Sequence, residues 1–150
     1  MAILGKKIEM KILDGTGSSA TDLISGLCVH EIGDFSATAG EIDATCHGDS
    51  DIRKKIRGLI DLGSLPVTVD YKDVTTSSAL WTAFTAGESL TIKIIETSET
   101  SSSTTTNQVL TFSGFISGMS ETHPLEDVIR QTLTITLDGI TPPAWSSETA

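Results

Sequence analysis

The chain has 150 residues and a mass of 15.8 kDa, one domain's worth of polypeptide and enough to bury a genuine core. Its 38% hydrophobic content is ordinary for a globular protein and excludes a disordered or fibrous chain. Twenty acidic against ten basic residues leave −10 at pH 7, the wrong sign for gripping nucleic acid through its phosphates.

No run approaches the roughly eighteen apolar residues of a membrane span, and Met1–Leu13 mixes Lys and Glu with apolar residues instead of building a signal-peptide core. Two cysteines, Cys28 and Cys46, are too few for a disulfide scaffold, so a cytoplasmic product in a reducing compartment is expected. Ser and Thr number 40, and threonine-rich runs interleaved with Val, Ile and Leu favour strands, because β-branched side chains suit a pleated surface.

The first period-two segment is Lys7–Leu13, with Ile8, Met10 and Ile12 on one face. Turn formers at Asp14–Ser19 break it, and a second strand resumes over Gly26–Ile32. A short third strand fits Glu41–Cys46. Residues 46–64 place Ile52, Ile56, Leu59 and Ile60 at helical spacing between glycines, which fits a short helix or an extended docking loop.

Leu65–Lys72 alternates cleanly as a strand. Ser77–Phe84 predicts one short helix, serine-capped, burying Leu80, Trp81 and Phe84 and stopped by Gly87. Ser89–Glu96 and Gln108–Met119 read as strands joined by a solvated loop over Thr97–Thr106. Ile129–Ile140 is the last strand, with Leu133, Ile135 and Leu137 opposite Thr132, Thr134, Thr136 and Asp138, and Pro142-Pro143 is expected to end the sheet. Six or seven strands and one helix predict a mainly β domain over residues 1–150, a β-sandwich or open barrel with a flanking α-helix, residues 1–6 and 142–150 being terminal arms.

Little in the chain reads as chemistry. Gly15-Thr16-Gly17-Ser18-Ser19-Ala20 matches a dinucleotide-binding pattern, but only Thr21–Ser25 remain for the helix a pyrophosphate needs. Cys28, His30, Cys46 and His47 lack zinc-knuckle spacing and are expected to be buried thiols and ordinary histidines. Gly114-Phe115-Ile116-Ser117-Gly118 has the wrong register for a nucleophile elbow, so its glycines are expected to mark a strand bend or close packing. The carboxylate pairs Glu126-Asp127 and Asp49-Ser50-Asp51 fall in polar turns. No enzyme, cofactor or metal is therefore expected. Arg53, Lys54, Lys55 and Arg57 hold four of the ten cations in five positions, a natural complement to an acidic patch on another copy.

Three segments carry a resemblance when taken in order: Ile42-Asp43-Ala44-Thr45, then Ile56-Arg57-Gly58-Leu59-Ile60-Asp61-Leu62-Gly63, then Leu65-Pro66-Val67-Thr68-Val69-Asp70-Tyr71. Together they resemble the Asp-x-Thr, Gly-Leu-x-Asp-x-Gly, strand order of the major tail tube proteins of long-tailed, non-contractile bacteriophages. The helix around Leu80–Phe84, Phe112-Ser113-Gly114-Phe115-Ile116, and the acidic turn from Leu125 to Val128 leading to Gly139 are similar to later features of that family. The likeness spans residues 8–143, and the loop Cys46–Lys55 departs from the family's glycine-aromatic character.

The resemblance implies a structural virion protein, assembled in the host cytoplasm into hexameric rings stacked as a tail tube. Its partners would be further copies, a tape measure protein, and tail terminator and tip proteins, with viral DNA passing through unbound and no membrane involved. Lumen candidates are Thr68, Asp70 and Lys72 with Thr132, Thr134, Thr136 and Asp138. Ring-to-ring candidates are Ile52, Arg53, Lys54, Lys55, Ile56 and Arg57. The tube protein of a type VI secretion system and a carbohydrate-binding β-sandwich are the rival readings, the latter needing exposed aromatic rings.

Overall fold

The computed structural model describes residues 8–15, 20–25, 27–48, 51–70, 74–99 and 105–149. Among them are ten strands, β1 (Ile8–Asp14), β2 (Thr21–Asp22), β3 (Val29–Ile32), β4 (Ala37–Asp43), β5 (Lys55–Leu62), β6 (Ser64–Asp70), β7 (Leu90–Glu99), β8 (Thr105–Thr122), β9 (Arg130–Leu137) and β10 (Ala144–Thr149), with one helix, α1 (Val74–Ala86). The main sheet runs β2-β1-β7-β8-β9-β6-β3 and every neighbouring pair is antiparallel.

The organising element is β8. Its first half pairs with β7 and its second half with β9, so this 18-residue strand carries the sheet around a bend. A register shift between Ile116 and Gly118 marks the bend, since an unpaired extra residue kinks a strand. The ends of the sheet face each other across clefts lined by Ile8 of β1 and Val29 of β3, without hydrogen bonding between these two strands. The result is an open barrel, one of the two β architectures that the strand pattern allows.

Period-two alternation supplies the core. Leu65, Val67 and Val69 of β6 and Leu133, Ile135 and Leu137 of β9 point inward beside Ile12, Ile92, Phe112 and Ile116, all of them buried. Each such side chain contributes about 1.5–3 kcal/mol by leaving water. Helix α1 adds Leu80 and Ala83 to the same core by lying against β8. It starts three residues before the expected Ser77, and it stops where expected, at Gly87, which sits at φ +65° and donates its N–H to Ala83 O at 3.2 Å.

Four sequence expectations need correction. Residues 55–62 form a strand and no helix, because β4 pairs along them: Ile42 faces Ile56 and Asp43 faces Lys55. The strand expected at Glu41–Cys46 begins earlier, at Ala37, and ends at Asp43. The Thr97–Thr106 segment is strand at both of its ends, since pairing continues to Glu99 opposite Thr105; residues 100–104 lie outside the described residues. Pro142-Pro143 does not end the sheet. Leu137 lies opposite Gly114 and Ala144 opposite Thr111, so residues 138–143 loop out of the line and β10 resumes beside β8 where β9 stopped.

Candidate assembly surface

Strands β4 and β5 form a two-stranded sheet of their own. They nevertheless continue the main sheet. Strand β3 runs antiparallel to β6, Gly33 donates its N–H to Pro66 O at 2.7 Å, and Gly63 donates to Ser36 O at 3.3 Å. The chain thus climbs through β3 and β4 and returns through β5 and β6 as one ribbon whose outer half overshoots the barrel. Eight residues of β5, at about 3.3 Å each, make an arm of about 26 Å. Its root adjoins the end of β9, where Leu137 donates its N–H to Gly63 O.

The arm has no hydrophobic core. Every residue of β4 is exposed, and Ile42, Ile56, Leu59 and Ile60 keep 54%, 57%, 92% and 51% of their surface in water. An isolated two-stranded hairpin is marginal in water and gains stability when a further layer covers it. Ile42 and Ile56 are cross-strand partners and therefore share a face, while Glu41 lies opposite Arg57 and Asp43 opposite Lys55. Lys55 also reaches Glu41 in an exposed 2.8 Å ion pair.

Both sequence motifs of the arm have structural jobs. Asp43 Oδ1 accepts the Thr45 N–H at 2.9 Å, and Thr45 Oγ1 in turn accepts the Lys54 N–H at 2.9 Å, which closes the arm near its tip. The Thr45 side-chain hydrogen bond, followed by that from the Thr45 N–H, holds the Asp43 carboxyl below its ordinary pKa. In the second motif, a Cβ on Gly58 would come within 3.3 Å of the Gly40 backbone, where the register shifts and the two strands press together. The exposed Leu59 lies at the same irregularity.

The lumen candidates are partly brought together. Thr68 and Thr132 are paired across β6–β9 with hydroxyls 3.4 Å apart, Thr134 faces Pro66, and Thr136 faces Ser64 and donates to Ser117 Oγ at 2.8 Å. They form a hydroxyl-rich outer face behind the inward Leu and Val residues. Asp70, on the same face, is half-buried and receives Arg130 Nε at 3.1 Å, while Arg130 Nη1 binds Asp127 Oδ2 at 3.1 Å, so two carboxylates share one guanidinium and the cluster stays net negative. The Val128 N–H and then Arg130 hold the Asp127 carboxyl below its usual range. Lys72 lies outside the described residues.

Asp138 does different work. It follows β9 at the break in the strand line and accepts hydrogen bonds from Ser113 Oγ at 2.5 Å, Ser89 Oγ at 2.6 Å and Ile140 N–H at 2.9 Å. Ser113 is buried and also accepts the Thr141 N–H at 2.8 Å. Partial burial pushes the Asp138 carboxyl upward, yet the donors outweigh it, Ser113 first and then Ser89 and Ile140, and hold it below its ordinary value. This carboxylate fastens the looped-out segment to the sheet.

With this geometry established, comparison with solved structures finds the same architecture elsewhere. The chain aligns over 99% of its length with 81% of a chain of the SPP1 tail tube, at 14% identity and a TM-score of 0.64. The fold is that of phage tail tubes. A chain of the anti-feeding prophage baseplate shares the tail-tube fold at 11% identity and a TM-score of 0.69, covering 97% of this chain and 96% of that one. So does a chain from the virion of a native gene transfer agent, at 17% identity and 0.61, covering 98% and 99%. No protein-family profile and no curated protein sequence matches the chain.

Several functional candidates escape sequence reasoning. Trp81, expected in the core, is 56% exposed, and Trp145, in the segment expected as a terminal arm, is 66% exposed. Trp81 leans on Phe84 with ring centres 5.5 Å apart, and Trp145 stands edge-on to Phe35 at 6.3 Å. Among the described residues, Leu125, beside Pro124, and Ile140, two residues before Pro142, are the other large apolar side chains left in water outside the arm, together with Val128. Proline next to an apolar residue in a turn is the one available signal for them. Cys28 and Cys46 are exposed, contrary to the buried thiols expected, because one precedes β3 and the other caps the arm.

Proposed function

We propose that the protein is the structural subunit of a viral tail tube, assembling into hexameric rings that stack through the β4–β5 arm around a conduit for the genome. The observation that carries this reading is the arm itself, about 26 Å of paired backbone with four large apolar residues and nothing over them, on a tail-tube fold. A surface of one kind meeting a different surface on the next copy generates rings or open filaments, as a tube requires. The anti-feeding prophage baseplate structure is six-fold symmetrised, and the gene transfer agent tail was refined with C6 symmetry.

In this reading Ile52, Arg53, Lys54, Lys55, Ile56 and Arg57 touch the neighbouring ring. The hydroxyl face with Thr68, Asp70, Thr132, Thr134 and Thr136 faces the bore. Six copies at −10 each give a ring about −60, a field that repels phosphates so that DNA passes without adhering. A tape measure protein would fill the bore before the genome, with terminator and tip proteins at the ends.

The test is molar mass by light scattering across a concentration series. Growth from monomer to ring-sized and then much larger species is expected, and a mass fixed at 15.8 kDa at every concentration would contradict the reading.

A further inference from the structure

At the opposite pole of the barrel from the arm, α1 and the ends of β8 and β9 enclose a groove of about 530 Å³. It is lined by Ser77, Ser78, Trp81 and Thr82 of the helix and by Met119, Ser120, Glu121 and Gln131 of the sheet. The arm's root adjoins Leu137 and the groove's floor holds Gln131, six residues away along β9, or about 20 Å. Gln131 is 6% exposed, and its carboxamide oxygen has no hydrogen-bond partner. A buried acceptor without a donor is costly in a finished structure. The groove's walls are apolar at Trp81 and Met119, and its acidic side carries Glu121, with His123 3.5 Å from it and the exposed Glu126-Asp127 turn following.

We propose that this groove is the receptor for the arm of a second copy of this chain, residues Ile52–Arg57 entering it head to tail. This deepens the tube reading and rests on it. The complementarity is specific. The arm's end offers Ile52, 76% exposed, to the space between Trp81 and Met119, and it carries Arg53, Lys54 and Arg57 toward Glu121 and Glu126. A guanidinium or backbone N–H of the incoming segment supplies the donor that Gln131 lacks. Because arm and groove occupy opposite poles, one copy cannot satisfy itself, and repetition of the contact propagates along an axis instead of closing a pair.

The experiment is disulfide trapping in a Cys28→Ser, Cys46→Ser background carrying Ile52→Cys and Ser78→Cys. Oxidised assemblies are expected to give a ladder of covalent multimers that disappears when either new cysteine is omitted. Tubes that form normally but run as monomers after oxidation would overturn the groove assignment while leaving ring stacking intact. If the parent protein forms no tubes at all, the tube reading fails and the groove assignment with it.

Gln131→Met gives a second readout. Removing an unpaired buried acceptor is expected to raise the monomer's Tm while raising the concentration needed for assembly about tenfold, a divergence that a purely structural residue does not produce. A lowered Tm, or assembly unchanged from the parent, would count against the proposal.

Discussion

Ile56→Asp separates folding from assembly. Ile56 is 57% exposed and sits on a strand that pairs only with β4, so the monomer places little weight on its side chain. Its Tm should stay within the range of surface substitutions, about ±0.5 kcal/mol in stability. Full burial of an isoleucine is worth about 1.5–3 kcal/mol. Covering the 57% still in water is therefore worth about 0.9–1.7 kcal/mol per docked arm. With six arms between successive rings the junction loses about 5–10 kcal/mol, before counting the cost of desolvating a carboxylate. At 1.4 kcal/mol per tenfold, stacking should vanish at any practical concentration. Light scattering on parent and variant, beside thermal melts of both monomers, measures the two quantities separately. A variant that polymerises like the parent, with an unchanged melt, would refute burial of the arm.

Further outcomes follow from other parts of the structure. Asp138→Ala removes three hydrogen bonds and leaves the buried Ser113 hydroxyl without its carboxylate partner; a loss of about 2–3 kcal/mol in urea unfolding is expected, discounted for the partial exposure of the site. Because the folded Asp138 pKa is depressed, its contribution is present above the unfolded carboxyl value near 4 and is lost as pH falls through the lower folded value. Stability of the parent should thus drop more steeply below about pH 4 than that of Asp138→Asn, as melts across that range would measure. Gly114→Ala places a Cβ 2.7 Å from Thr136 O, a backbone atom that cannot swing aside, so a destabilisation of about 1–3 kcal/mol is expected in the same unfolding assay. Thr134→Cys in assembled tubes should react with a small maleimide and resist one attached to a bulky polymer; equal reaction with both would place that face outside the bore.

The open barrel was legible because its inward residues alternate without interruption: Leu133, Ile135 and Leu137, or Leu65, Val67 and Val69, admit one burial pattern. The helix was legible through its end, where Gly87 takes a left-handed conformation, but Trp81 was misplaced because an aromatic at helical spacing reads as core whether or not the helix turns it inward. The helical alternative for the arm arises for a related reason. Ile52, Ile56, Leu59 and Ile60 imitate a helical stripe because a register shift at Gly40 and Gly58 breaks the period of two. The role of Asp138 was hidden, since nothing local tells a polar-face aspartate from one that meets Ser113, 25 residues earlier, and Ser89, 49 residues earlier. The unpartnered Gln131 was invisible too: in sequence it is one more polar residue beside Thr132, and only the position of α1 turns it into the floor of a groove.

Electron cryo-microscopy of the purified, concentrated protein addresses the central claim most directly. The account predicts hollow filaments of six-fold rings in which the Ala37–Leu62 arm lies against the next ring. Filaments whose arms fold back within their own ring, or particles that stay single at every concentration, would contradict it.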